Sequence, residues 1–189
     1  MICGGPQRKE RRGSQVIVVM AGLPGTGKTA LAEELAAELG AVVLSKDVLR
    51  DATFGALVDY SSTQDDFCME LVYRTVRYLR DTRPEVMIVI DGRTFSRRVQ
   101  VNRALEALPE TPRWIECVCD DEVARQRLDA APDHVARNRN YDLYCAVKTA
   151  AEPLEVPRLT IDTGRVDLVE AVRRASEYLV SAPPHLAGS

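Results

Sequence analysis

The chain has 189 residues, of which 46% are hydrophobic and 28% are charged, and its formal net charge at pH 7 is −3. This length suits one α/β domain with an adequate core, and the composition is ordinary for a globular protein in water. The slightly negative charge excludes the global basic field of dedicated nucleic-acid binders, although binding of a single strand end stays compatible with it.

The two ends of the chain have the composition of flexible segments. Residues 1–14 carry four basic side chains without the apolar core of a signal peptide, so we expect a flexible basic N-terminus; a phosphate-binding arm is the alternative. Residues 181–189 should form a flexible tail, which leaves 15–180 as the domain. No apolar stretch approaches membrane-spanning length. The five cysteines, odd in number and without zinc-site partners, indicate a reducing, cytoplasmic compartment.

Strand and helix patterns alternate along the chain. Apolar runs predict strands at 16–20, 42–44, 86–90, 114–119 and 158–162. Helices are expected at 27–39, from Lys46 onward, and at 64–81, 96–108, 121–128, 141–151 and 166–180. Five strands with crossover helices predict a parallel sheet covered on both faces, and such sheets bind ligands beyond the carboxyl ends of their strands.

The first strand runs directly into a glycine-rich loop with the pattern G-x-x-x-x-G-K-[ST]. The loop consists of Gly22, Leu23, Pro24, Gly25, Thr26, Gly27, Lys28 and Thr29. Its glycines allow a tight turn whose N–H groups converge on an anion, and the following helix adds partial positive charge. Lys28 could reach the outer phosphates during catalysis, and the Thr29 hydroxyl could ligate Mg²⁺. The loop therefore predicts binding of a nucleoside triphosphate.

A carboxylate and an arginine follow the second strand. Asp47 begins a short helix, and Arg50 lies one turn later on the same face. From that position Asp47 could orient an acceptor hydroxyl and accept its proton, while Arg50 could hold an anionic acceptor or the transferred group. The alternative for Asp47 is a helix N-cap.

The third strand ends in Asp91, followed by Gly92 and Arg93. An apolar strand that ends in Asp is typical of the Walker B pattern, which holds Mg²⁺ directly or through water. The alternative is an Asp that caps the next turn. We predict that Asp91 binds the metal together with Thr29, next to the acceptor, and that Arg93 contacts the acceptor.

Arginines follow the fourth strand, at the far end of its helix and in the polar segment behind it. They are Arg125, Arg127, Arg137 and Arg139. On a mobile segment above the nucleotide, such side chains could stabilise charge on the transferring phosphoryl group, although a solvated helix face explains each of them equally well. Arg125 is the catalytic candidate, Arg127 a nucleotide contact, and Arg137 and Arg139 acceptor contacts.

Residues 16–180 resemble the P-loop kinases related to polynucleotide 5′-hydroxyl kinase, zeta toxin and chloramphenicol phosphotransferase, the AAA_33-type ATP-binding proteins. The phosphate loop, Asp47 with Arg50, and the stretches IDGRTFSRR and PLEVPRLTIDT carry the resemblance. It implies an α/β P-loop fold with strand order 2-3-1-4-5, a short lid, and phosphoryl transfer from Mg²⁺·ATP to a hydroxyl. It also implies that Asp47 is the general base, that Arg50 binds an acceptor phosphate, and that the lid arginines begin at Arg125.

Three functions fit these patterns. The first is a kinase that acts on a hydroxyl of a small metabolite, nucleoside or antibiotic. The second is a polynucleotide 5′-hydroxyl kinase, which shares this chemistry but needs a basic groove for the strand. The third is an NTP-dependent switch with water as acceptor. Asp47 and Arg50 favour an organic acceptor over water. The lid is short and its arginine spacing departs from that of the polynucleotide kinases, which favours a small acceptor over a nucleic-acid end.

Overall fold

The structure, a computed structural model, describes residues 16–130 and 140–181. The expected basic N-terminus, most of the expected lid (131–139) and the tail from residue 182 lie outside the described residues. Within the described ranges, no helix combines the length and the apolar character that a membrane crossing requires.

The predicted parallel sheet is present. Its strands are β1 (Ile17–Ala21), β2 (Val42–Ser45), β3 (Ile88–Asp91), β4 (Arg113–Val118) and β5 (Arg158–Asp162). All neighbouring strands pair in parallel, in the order β2-β3-β1-β4-β5, which confirms the order implied by the family resemblance. The central strand β1 is buried along its whole length, as an unbroken apolar strand must be in a sheet covered on both faces.

Helices connect the strands on both faces. They are α1 (Lys28–Leu39), α2 (Lys46–Phe54), α3 (Ser62–Thr82), α4 (Arg98–Ala107), α5 (Asp121–Asp129), α6 (Tyr141–Thr149) and α7 (Leu168–Val180). A short 3-10 helix, Gly55–Leu57, joins α2 to α3 and has no counterpart among the predicted elements. The bounds of the predicted helices and strands agree with the observed ones to within about two residues, the usual spread of boundary assignments.

Alternate residues of β1 enter two separate cores. Ile17 and Val19 pack with residues of α3 and α4 on one face, whereas Val18 and Met20 pack with α1 and α7 on the other. This division follows from the two-residue period of a strand. The sheet therefore forms a rigid platform, and its carboxyl edge can hold side chains in fixed positions.

The register of the sheet brings the ends of β2 and β3 together, because Ser45 lies opposite Asp91. The Ser45 hydroxyl caps α2 by accepting from the Val48 N–H at 3.4 Å, so the cap considered for Asp47 belongs to Ser45. A Cβ on Gly92 would lie 2.8 Å from the Cβ of Lys46 and 2.9 Å from its backbone nitrogen. Glycine at this position thus allows the turn after β3 to contact the first turn of α2.

Replacing Gly92 with alanine should destabilise the fold, because the added methyl group meets the backbone of α2 and the residue has a φ of +113°. We expect the free energy of unfolding, measured by urea denaturation, to fall by about 3 kcal/mol. Gly40→Ala is the matched control, since Gly40 also has a positive φ but no atom within 4 Å of the added carbon. Its loss should be about 1 kcal/mol from backbone strain alone. Equal losses in the two variants would contradict the close contact at Gly92.

Candidate active site

The phosphate loop leaves β1 as predicted and is fixed by main-chain contacts. The Gly22 N–H donates to the Thr94 carbonyl at 3.0 Å, which ties the loop to the segment after β3. A Cβ on Gly22 would lie 2.2 Å from the Cys117 carbonyl oxygen, so only glycine fits between these neighbours. The Thr26 hydroxyl donates to the Leu23 carbonyl at 2.8 Å and closes the turn.

Lys28 lies across this loop. Its ammonium group donates to the Leu23 carbonyl at 2.8 Å, and the residue is largely buried. A lysine held in this way provides positive charge beside a loop of backbone N–H groups. This arrangement suits the outer phosphates of a nucleotide.

Thr29 and Asp91 meet at the end of β3, and their geometry fits a magnesium ion. The Thr29 hydroxyl donates to Oδ2 of Asp91 at 2.9 Å. The other carboxylate oxygen, Oδ1, is buried and has no hydrogen-bond partner among the described residues. Buried carboxylate oxygens are normally satisfied, and oxygen ligands are those that Mg²⁺ prefers.

The described residues contain no group of three or more His, Cys, Asp or Glu side chains that could hold a metal ion. This is compatible with Mg²⁺, which usually takes one or two protein ligands and completes its shell with phosphate oxygens and water. Thr29 and Asp91 would supply the protein part of such a shell.

A cleft of about 240 Å³ opens beside the loop and brings several of the predicted residues together. Lys28 and Thr29 line it on the loop side. The predicted residues on its other walls are Asp47, Arg50, Asp91 and Arg93. The Asp47 carboxylate accepts from Arg50 at 3.2 Å and has the Lys46 ammonium 3.4 Å away, so the predicted pair is formed inside the cleft.

Asp65 of α3 is the centre of the charged network on this side, and it is not among the residues that the sequence predicts. Its Oδ1 accepts hydrogen bonds from Lys46 and Arg50, and its Oδ2 accepts from Arg93, whose Nε lies 2.9 Å away. Burial alone would raise the pKa of Asp65, but the charges of Lys46 and Arg93 and their hydrogen bonds hold the pKa below its usual value. Asp65 is therefore ionised at neutral pH.

Arg127 contacts the phosphate loop, away from this cleft. Its guanidinium donates to the Thr163 hydroxyl at 2.9 Å and to the Thr163 carbonyl at 2.7 Å, and it lies 3.5 Å from the Gly25 carbonyl. The Thr163 hydroxyl in turn donates to the Thr26 carbonyl at 2.9 Å. Thr163 follows β5 within the ending PRLTIDT, but the sequence does not single it out.

Arg125, the predicted catalytic arginine, is not brought to the cleft. Arg125 lies over the Tyr141 ring at 5.4 Å, with its Nε 3.9 Å from the Asp129 carboxylate, and its side chain is 58% exposed. It is absent from the lining of the cleft. Arg137 and Arg139 lie outside the described residues.

Comparisons with known proteins agree with this fold. The protein resembles a gluconokinase from Sinorhizobium meliloti (20% identity over 89% of this chain and 93% of that chain, TM-score 0.64). It also resembles a sugar kinase from a Janibacter species (19% identity, 89% and 99%, TM-score 0.66). A third similar structure is Kti12 from Chaetomium thermophilum in complex with ADP-AlF3 (14% identity, 88% and 100%, TM-score 0.61). At these identities the likeness shows the fold alone.

No curated protein matches the sequence. A family model does: the AAA_33 family, described as an AAA domain, matches residues 17–144. The match includes the phosphate loop, Asp47, Asp65 and Asp91, and it spans more than half of the chain. The protein therefore belongs to this AAA domain family and has the fold of the P-loop kinases.

Proposed function

We propose that the protein is an ATP-dependent kinase that transfers the γ-phosphate of ATP to a hydroxyl group of a small molecule. One observation carries the proposal. A single cleft is lined by Lys28 of the phosphate loop, by the Thr29–Asp91 pair, and by the carboxylate of Asp47. A phosphate site and a candidate base that share one cleft are what direct transfer to an organic acceptor requires.

Residues around the loop would hold the nucleotide and its metal. The backbone of Gly22–Thr29 and Lys28 would bind the phosphates, and Arg127 would contact the nucleotide next to Gly25. Thr29 and Asp91 would hold Mg²⁺, which when bound supplies positive charge to the phosphate oxygens and a fixed orientation.

In the proposed reaction, Asp47 accepts the proton of the acceptor hydroxyl while the hydroxyl oxygen bonds to the γ-phosphorus. The bond from that phosphorus to the β–γ bridging oxygen breaks, and ADP leaves with the electron pair. The proton on Asp47 then passes to solvent. Lys28 offsets negative charge on the outer phosphates during the transfer.

The remaining arginines keep the roles that the sequence predicts for them, as proposals. Arg50 and Arg93 contact the acceptor, for which their place in the cleft gives support. Arg125 is proposed for catalysis and Arg137 and Arg139 for acceptor binding. The four described cysteines are free, which is compatible with the proposed cytoplasmic compartment.

The size of the cleft supports a small acceptor. Its volume of about 240 Å³ lies below the usual range for small-molecule sites, roughly 300–1,000 Å³. A polynucleotide 5′ end and water stay as alternative acceptors. Asp47, a candidate base that lines the same cleft as the phosphate loop, supports an organic acceptor more than water.

Transfer of label from γ-labelled ATP tests this function directly. The acceptors to compare are nucleosides, aminoglycosides, sugars, hydroxy acids, and DNA and RNA with 5′-hydroxyl ends. We expect Mg²⁺-dependent label in one small molecule and none in nucleic acid. Label in nucleic-acid ends alone, or release of phosphate to water with every acceptor, would contradict the proposal.

Asp47→Asn should slow transfer to the acceptor found in that assay by about 10²–10⁴, because the amide cannot accept the proton. The affinity for ATP, measured by calorimetry, should stay unchanged. Asp51→Asn is the matched control, since Asp51 lies one turn later on α2 and is exposed. If the affinity of Asp47→Asn for ATP falls by as large a factor as its rate of transfer, Asp47 has a structural role instead.

Asp91→Asn should weaken the binding of ADP in the presence of Mg²⁺ by about tenfold, because the neutral amide is a poorer metal ligand. Binding of ADP in the presence of a chelator should not change. Calorimetric titrations of the wild-type protein and of Asp91→Asn, with Asp51→Asn again as control, measure this change in the affinity for ADP. If Asp91→Asn leaves the Mg²⁺ dependence intact, Asp91 does not hold the metal.

A further inference from the structure

The acceptor side of the cleft contains more buried positive charge than negative charge. Lys46, Arg50 and Arg93 are 7%, 4% and 6% exposed. The carboxylates that contact them in the cleft are Asp47 and Asp65, whereas the third carboxylate of the lining, Asp91, lies on the loop side, where the lining also has the cation Lys28. Three cations beside two carboxylates leave one positive charge in excess.

A further carboxylate, Asp66, contacts this group without changing the balance. It accepts from Arg93 at 2.7 Å and also pairs with Arg103 at 2.9 Å, so it has a cation of its own. It is absent from the cleft lining, and its side chain is 44% exposed. Asp59 also interacts with Arg50, but it is exposed to solvent and absent from the cleft lining, so its charge is screened by water. The buried positive charge of the cleft therefore stays in excess.

An excess of buried charge is costly unless a counterion approaches it. The Nε of Arg50 is buried and has no hydrogen-bond partner among the described residues, so Asp47 and Asp65 do not satisfy this guanidinium completely. A guanidinium presents five N–H groups in a fixed fork that matches a carboxylate. The site thus suits an anionic group on the acceptor.

Asp65 holds the three cations in place from a separate helix. Lys46 and Arg50 come from α2 and Arg93 from the turn after β3, and all three donate to the same carboxylate of α3. Tyr60 lies just before α3, and the centre of its ring is 5.2 Å from the Cζ of the Arg50 guanidinium. Tyr60 has a φ of +55°, a strained conformation of the kind that is concentrated at binding sites.

We infer that the acceptor is a small hydroxylated carboxylic acid with one negative charge, bound through its carboxylate by Arg50 and Arg93, and that Asp65 is the positioning residue that fixes these cations. This inference rests on the proposed kinase function and names its class of acceptor. A carboxylate matches the single excess charge, whereas a phosphate dianion would add an uncompensated charge beside the terminal phosphate of ATP.

Ligands that share a carbon skeleton and differ in the charge of one terminal group test the inference. One linear set consists of gluconate, sorbitol and glucamine, and one cyclic set of glucuronate, glucose and 6-amino-6-deoxyglucose. Each is titrated by calorimetry into the protein with MgADP, with sorbitol 6-phosphate added as the dianion. We expect the acid of at least one set to bind about tenfold or more tightly than its neutral and cationic counterparts and than the dianion.

Absence of any preference for the acid in both sets would overturn the inference, and a tighter dianion would overturn the choice of a carboxylate. The titrations are also repeated without nucleotide. If MgADP does not bind to the protein, that result counts against the proposed kinase function. The ligand preference measured without nucleotide still decides the inference about the acceptor.

Asp65→Asn separates positioning from simple electrostatics, because the two predict opposite results. Loss of a negative charge from the site should by itself strengthen the binding of an acid. If Asp65 positions the cations, the affinity for the acid should instead fall about tenfold, while MgADP affinity, which reports a folded protein, stays the same. Glu70→Gln is the matched control, since it removes the same charge from α3 away from the cleft.

Tighter or unchanged binding of the acid to Asp65→Asn would overturn the positioning role. If this variant does not fold, Arg50→Lys provides the second test, because it keeps the charge but removes the fork. We expect about tenfold weaker binding of the acid to Arg50→Lys, and full affinity in that variant would overturn the carboxylate contact.

Discussion

The hydrogen bond between the Thr29 hydroxyl and Asp91 links the two halves of the site. Thr29 lies in the first turn of α1, directly after the phosphate loop, and Asp91 ends the neighbouring strand β3. Because β1 and β3 pair in parallel, their carboxyl ends meet at one edge of the sheet. The same edge places Ser45 beside Asp91, and α2 with Asp47 begins there. The phosphate site and the candidate base are thus fixed by sheet pairing rather than by flexible loops.

The charged side chains at this edge form a preorganised environment. Lys28, Lys46, Arg50 and Arg93 are all largely buried, and each contacts a carbonyl or a carboxylate rather than water alone. Fixed charges in a partly dry cleft act more strongly than the same charges in water, and they need no rearrangement when a substrate binds. Asp65 contributes strongly to this fixed arrangement, because its one carboxylate binds cations from two different segments.

The sequence predicts the features that depend on local pattern. Apolar runs and helical periodicity give the strands and helices, and the spacing of Asp47 and Arg50 gives a pair on one face. Asp91 follows from the apolar strand that ends in it. The features that depend on tertiary contact cannot be predicted in this way. Asp65 lies in the first turn of a helix, where an acidic residue is ordinary, and only folding brings Arg93 to it.

The two arginines of α5 lie on different faces of the helix, and the face decides which of them contacts the phosphate loop. Residues two positions apart on a helix point in nearly opposite directions, so one of them can contact the loop while the other faces away. The sequence does not say which face meets the loop. In the structure Arg127 contacts Thr163 and Gly25, whereas Arg125 lies over Tyr141.

A crystal structure of the protein grown with Mg²⁺, ADP and aluminium fluoride is the most direct test of the central claim. The nucleotide should lie in the Gly22–Thr29 loop, with the metal at Thr29 and Asp91 and the fluoride group between Lys28 and Asp47. An empty loop, or a fluoride group that points away from Asp47, would contradict the account.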